Sequence, residues 1–142
     1  IKPANVMYDP HSAELKITDF GIARLTDTSR TRTGVVLGTP SFMSPEQLAG
    51  RVVTGSSDLF SLAVTAFQLL TGQLPFRGDS MPALMLRIAH EPNPRIRNFR
   101  PDLPPGLDEI FDRALAKQPT DRIASGAAFA CALRDVIAAT RG

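Results

Sequence analysis

At 142 residues, with 43% hydrophobic and 21% charged content, the chain has the size and composition of one ordinary soluble globular domain. Its net charge of +2 comes with scattered arginines and only 6% aromatics, which argues against nucleic acid as a partner, because that surface wants a basic stripe interleaved with stacking rings. The single cysteine, Cys131, excludes an internal disulfide and fits a reducing compartment, and with no apolar run near the ~18 residues of a membrane span and no visible signal peptide, a cytoplasmic location without a membrane segment is expected.

Val6-Met7-Tyr8 and Leu15-Lys16-Ile17-Thr18 are β-prone runs, and Asp9-Pro10-His11-Ser12 between them supplies turn chemistry, so a small hairpin is predicted. Residues 22–57 are rich in Thr, Ser, Arg and Gly without a sustained period. They predict a long loop with one helical turn at Pro45–Ala49, and a loop of that length in a compact domain normally has a job. Ser57-Asp58 then opens a helix. Its apolar residues from Leu59 to Leu70 cover almost every side, which predicts burial in the middle of the domain, and Gly72 closes it.

A second helix is expected at about Ser80–His90, with Met81, Leu84, Met85 and Ile88 on one face suited to core packing or to docking. The proline-rich stretch Glu91–Pro105 reads as an extended connection. Leu107, Ile110, Phe111, Ala114 and Leu115 recur at helical spacing and predict an amphipathic helix. A last helix is expected over Ser125–Ala139 from a serine cap, with Cys131 packed inside its small-residue run. The expected outline is a hairpin, a long loop, then four helices around one buried helix.

Two side chains in this outline carry metal chemistry. Asn5 offers an amide oxygen just before the first strand, and Asp19 offers a carboxylate just after its hairpin partner. A hairpin returns its ends close together, so both oxygens could converge on one magnesium ion, which takes a few hard oxygen ligands together with substrate phosphates. The triplet Asp19-Phe20-Gly21 alone is a weak signal. Its spacing from Asn5 across a hairpin, with Lys2-Pro3 ahead, is much stronger.

Further motifs extend the pattern in order and spacing: Lys2-Pro3-Ala4-Asn5, Asp19-Phe20-Gly21, Gly38-Thr39-Pro40, Ser44-Pro45-Glu46, Asp58 with Ser61-Leu62, and Lys117-Gln118-Pro119 leading to Arg122-Ile123. By these motifs the chain resembles the C-terminal lobe of a serine/threonine protein kinase, especially the bacterial kinases similar to the eukaryotic family. The match runs from inside the catalytic loop almost to the C-terminus. It implies an α+β fold class, a mainly helical lobe with a short β-hairpin and a long activation segment, the N-terminal lobe being absent. Residues 1–142 would then be a partial kinase domain and residues 19–46 its activation segment.

The resemblance also implies transfer of the γ-phosphate of ATP to Ser/Thr hydroxyls of protein substrates, with Mg2+, or Mn2+ in its place. Asn5 and Asp19 would bind the metal, Asp19 bridging it to the β- and γ-phosphates. Lys2 would offset charge on the transferring group, and Thr39 would brace the catalytic loop. Thr31 and Thr33 occupy the spacing before Gly38-Thr39 at which bacterial relatives autophosphorylate, which implies a kinase homodimer acting in trans. Thr28 and Ser29 are further acceptor hydroxyls and Arg24 a candidate partner for a phosphate, which adds about −1.5 to −2 charges. Glu46 and Arg122 would form an ion pair tying the activation segment to the helical base. Asp58 would accept amide hydrogens from the catalytic loop, although the residues alone allow a simple helix cap.

Ala63, Phe60 and Ser44 depart from the residues common in that family, and none touches a metal ligand. The base Asp of the catalytic-loop pattern would fall one position before Ile1, and neither a Gly-rich phosphate loop nor a strand lysine is found. The expectation is therefore a piece of a longer kinase, inactive and poorly folded by itself, whose parent carries any membrane anchor outside this stretch. The alternative is a pseudokinase or a scaffold that docks partners through the second helix.

Overall fold

Strands β1 (Val6–Asp9) and β2 (Glu14–Ile17) pair antiparallel, with Val6 opposite Ile17 and Asp9 opposite Glu14. The computed structural model describes residues 1, 3–17 and 40–141. The turn of the hairpin is built by Asp9, whose carboxylate accepts from the His11 N–H and the Ser12 hydroxyl, both at 2.9 Å. Those bonds hold the Asp9 carboxyl below its usual range. Ala13 completes the reversal at φ 58°, a left-handed conformation rare for a residue with a Cβ.

Five α-helices follow among the described residues: α1 (Pro45–Leu48), α2 (Gly55–Thr71), α3 (Met81–His90), α4 (Gly106–Ala114) and α5 (Gly126–Thr140). Serine side chains cap three of them. Ser44 forms a capping box with Gln47 at α1, Ser80 accepts from the Ala83 N–H at α3, and Ser125 accepts from the Ala128 N–H at α5. Helix α2 starts earlier than Ser57-Asp58 suggests. Thr54 is its cap, accepting from the Ser56 N–H, which leaves Ser57 free to face inward. Gly72 closes α2 at φ 73°, the left-handed conformation that glycine adopts without steric cost.

Helix α2 is the core element. Leu59, Phe60, Ala63, Val64 and Phe67 are all 4% exposed or less. From Ser57 to Phe67 only Asp58 is exposed, so burial reaches almost every side of the helix, and Leu69 near its C-terminal end stays 68% exposed. A ladder of edge-to-face rings joins the helices: Phe67 meets Phe99 at 5.4 Å and Phe111 at 5.8 Å, and Phe111 meets Phe129 at 5.8 Å. Each such contact adds about 0.5–1.5 kcal/mol beyond area burial. All five residues of the α4 stripe are buried, as its period requires.

Helix α3 inserts Leu84 and Ile88 into the core, so the face holding them is a packing face. The loop before it makes a close approach: a Cβ on Gly78 would lie 2.4 Å from the Leu84 backbone nitrogen. The proline-rich connection is not fully extended. A 3-10 turn at Ile96–Asn98 buries Ile96 completely and pins the segment to the core. Cys131 is exposed, contrary to the packing expected from its neighbours, because α5 turns only Phe129 fully inward. Among the described residues no helix is long and apolar enough to cross a membrane.

Candidate active site

The hairpin register sets the geometry at the N-terminal end. Asn5 ends the 3-10 turn Pro3–Asn5 and is half-buried at the foot of β1. Because Val6 pairs with Ile17, the chain leaves β2 beside Asn5 and reaches Asp19 two residues later. The segment is tied to the core helix where the Thr65 hydroxyl donates to the Ile1 carbonyl at 3.4 Å. Thr65 is itself buried, and its one hydroxyl proton is shared between that carbonyl and the nearer Ser61 carbonyl at 2.9 Å. Lys2, Asp19, Thr39, Thr31 and Thr33 lie outside the described residues, as do Arg24, Thr28 and Ser29.

The donor chemistry of Asn5 and Asp19, an amide oxygen and a carboxylate, suits a hard divalent cation. Among the described residues no group of three or more His, Cys, Asp or Glu side chains is placed to hold a metal.

The helical base holds a buried polar network. Arg122 and Glu46 meet in a two-pronged pair, Nη1 to Oε1 at 2.5 Å and Nη2 to Oε2 at 2.7 Å. The side chains are 0% and 5% exposed. Every remaining group is satisfied in a way that makes such burial tolerable. The Ser57 hydroxyl donates to Glu46 Oε1 at 2.7 Å, and Arg122 Nε donates to the Ala116 carbonyl at 2.8 Å. Arg122 Nη1 also donates to the Ser56 carbonyl at 3.0 Å. Burial pushes the Glu46 carboxyl up, but the Arg122 guanidinium and the Ser57 hydroxyl outweigh it and hold the group at about 2. Nearby, the Ser61 hydroxyl donates to the Phe42 carbonyl at 2.5 Å, so α2 grips the chain on the N-terminal side of α1 as well.

A stack of cations and rings runs beside this network. The Arg122 guanidinium lies 5.0 Å from the Phe60 ring, Phe60 stacks on Phe76 at 6.4 Å, and the Lys117 amine lies over Phe76 at 4.0 Å. The Lys117 Nζ is buried without a hydrogen-bond partner among the described residues. Burial lowers its pKa to about 8, against the opposing pull of Glu91. Sequence reasoning placed Lys117 only as part of a motif. Nothing in the spacing says that its amine caps an aromatic pair, nor that Ser57 is the third partner of Glu46.

Asp58 sits exposed in the first turn of α2 and has no hydrogen-bond partner among the described residues. Thr54 supplies the cap, so the simple capping role falls away. Asp58 presents a carboxylate near the positive end of the helix dipole, where the amide-accepting role implied by the family resemblance stays open to it.

The protein kinase domain family model matches residues 1–133. The chain is 41% identical to the serine/threonine-protein kinase Pkn1 of Myxococcus xanthus, over 97% of this chain and 21% of that protein. It is 38% identical to PknA of Mycobacterium tuberculosis, over 99% of this chain and 31% of the relative. PrkC of Bacillus subtilis is 39% identical over 86% of the chain and 19% of its own length. Among solved structures, the PknI kinase domain of Mycobacterium tuberculosis, crystallised as a double mutant, matches with a TM-score of 0.68 and 31% identity. That match covers 96% of this chain and 44% of the other. The chain thus spans about a fifth to a third of the curated relatives it matches.

Proposed function

The chain belongs to the protein kinase domain family, and from that premise we propose that it is the C-terminal lobe of a serine/threonine kinase whose metal-binding carboxylate and amide stand at the two ends of the hairpin. The observation that carries this reading is the register Val6 to Ile17, which brings the exit of β2 alongside Asn5. Two residues span at most ~7 Å, so the connection from Ile17 to Asp19 is short enough for both side chains to serve one site in this reading.

In this reading Asn5 and Asp19 hold Mg2+ on the nucleotide. The bound ion supplies charge neutralisation of the β- and γ-phosphates. Lys2, three residues before Asn5, adds a positive charge toward the transferring group, and Thr39 braces the loop that carries Lys2. Residues 19–46 form the activation segment, with Thr31 and Thr33 as its acceptor hydroxyls. The buried Glu46–Arg122 pair supports this assignment, because it fixes the C-terminal end of that segment to the helical base. Ser61, gripping Phe42 from α2, supports it too.

The test is phosphoryl transfer by the protein that carries this chain, from γ-labelled ATP to a Ser/Thr-containing acceptor protein, with phosphoamino-acid analysis. Phosphoserine and phosphothreonine are expected, with loss of at least 100-fold in Asp19→Ala. Wild-type turnover in that variant, or phosphotyrosine as the product, overturns the reading.

A further inference from the structure

We propose that the groove between α3 and the α1–α2 loop is a docking surface for an acidic, leucine-type apolar segment of a protein partner. It does not depend on phosphoryl transfer.

Two hollows meet at His90. One, of about 520 Å³, runs from α1 past Arg51 and Val52 to the wall formed by Lys117, Gln118 and Pro119. The other, of about 390 Å³, lies along Leu86, Arg87 and Glu91. Large apolar side chains stand open on this face: Val52 is 84% exposed and Leu86 63%. A small anion gains nothing from either of them. A peptide side chain does, at about 25 cal/mol per Å² of apolar area removed from water.

The charge of the groove selects the peptide. The Arg51 guanidinium is exposed and has no partner among the described residues. Of the carboxylates lining the two hollows, Glu46 is neutralised by Arg122, and Glu91 pairs with Arg87 at 3.8 Å. Arg51 remains as surplus positive charge on the groove surface, while the Lys117 amine is buried against the Phe76 ring. The contrasting hollow near α4, about 490 Å³, is lined by Asp108, Glu109 and Asp112 against Arg95 and Arg97, with prolines as its apolar lining and no exposed Leu, Val, Met or Phe. A second copy fits the α3 groove poorly, because a two-fold contact would set its surplus positive charge against itself.

The experiment is fluorescence anisotropy on the protein carrying this chain. The probes are a fluorescein-labelled peptide with two leucines flanked by glutamates, and the same peptide with lysines in place of the glutamates. The acidic peptide is expected to bind at least tenfold more tightly than the basic one. Leu86→Asp and Arg51→Glu should each weaken it at least tenfold, while Arg51→Lys retains most of the binding. Arg51 is exposed and outside the core, so Arg51→Glu carries the test should Leu86→Asp lower the melting temperature. Equal binding of the two peptides, no saturable binding, or wild-type affinity in Arg51→Glu overturns the proposal. Self-association in sedimentation that Arg51→Glu abolishes assigns the face to a second copy and overturns it as well.

Discussion

Glu46 shows how one residue joins three elements. It sits in α1, its carboxylate is held by Arg122 from the turn before α5, and Ser57 reaches it from α2. Removing one partner of a buried pair strands the other, so Glu46→Gln or Arg122→Met should destabilise by about 3–5 kcal/mol in urea unfolding. The pair also sets an acid limit. The folded-state pKa of about 2 lies below the ordinary 4.5, so ionised Glu46 stabilises the fold fully above about pH 4.5 and loses that contribution as pH falls toward 2. Urea midpoints measured from pH 6 to pH 3 should drop in the wild type and drop less steeply in Glu46→Gln. Parallel slopes would contradict the assignment.

Lys117 gives the opposite sign. Its folded pKa is lowered to about 8 from 10.5, so the fold disfavours the charged amine. That penalty is complete below about pH 8 and is relieved as pH rises toward 10.5. Relative to Lys117→Met, the wild type should therefore gain stability between pH 8 and pH 10, read from thermal melts of both proteins. A constant difference across that window would show that the amine is not desolvated.

Among the elements, the helix ends were the most legible part of the sequence. Ser80, Ser125 and Gly72 mark boundaries that the structure keeps, because each provides a local hydrogen bond or a left-handed residue that needs no tertiary context. The start of α2 was misread for the same physical reason. Thr54, Ser57 and Asp58 all have capping side chains, and only the fold decides that Ser57 turns inward to Glu46. The pairing of residues 46 and 122 was visible only through family resemblance, since local periodicity says nothing about partners so far apart in sequence. The exposure of Cys131 was not legible either: a run of alanines looks equally apolar on every face, and only the seat of Phe129 fixes which face is inside. Close approach was also invisible. Gly78 lies against the Leu84 backbone, so Gly78→Ala should cost about 1–3 kcal/mol by forcing the loop off α3, measurable as a lower melting temperature. A neutral result would mean the loop shifts freely.

At the scale of the molecule, one buried helix organises the rest. α2 holds Phe42 through Ser61, Glu46 through Ser57 and the N-terminal segment through Thr65. These three hydroxyls lie along the buried side of one helix, so a single element ties together the N-terminal segment and the chain at residues 42 and 46. On the proposed reading, phosphosite mapping of active protein should find Thr31 or Thr33 modified, and an unmodified pair would remove the regulatory role given to them. The most direct test of the central idea is binding of Mn2+ in the presence of ATP, followed by electron paramagnetic resonance on the protein carrying this chain. Tight uptake is expected in the wild type, weakened about 100-fold in Asp19→Ala and about tenfold in Asn5→Ala. Wild-type uptake in both variants would contradict a cation shared by the hairpin ends.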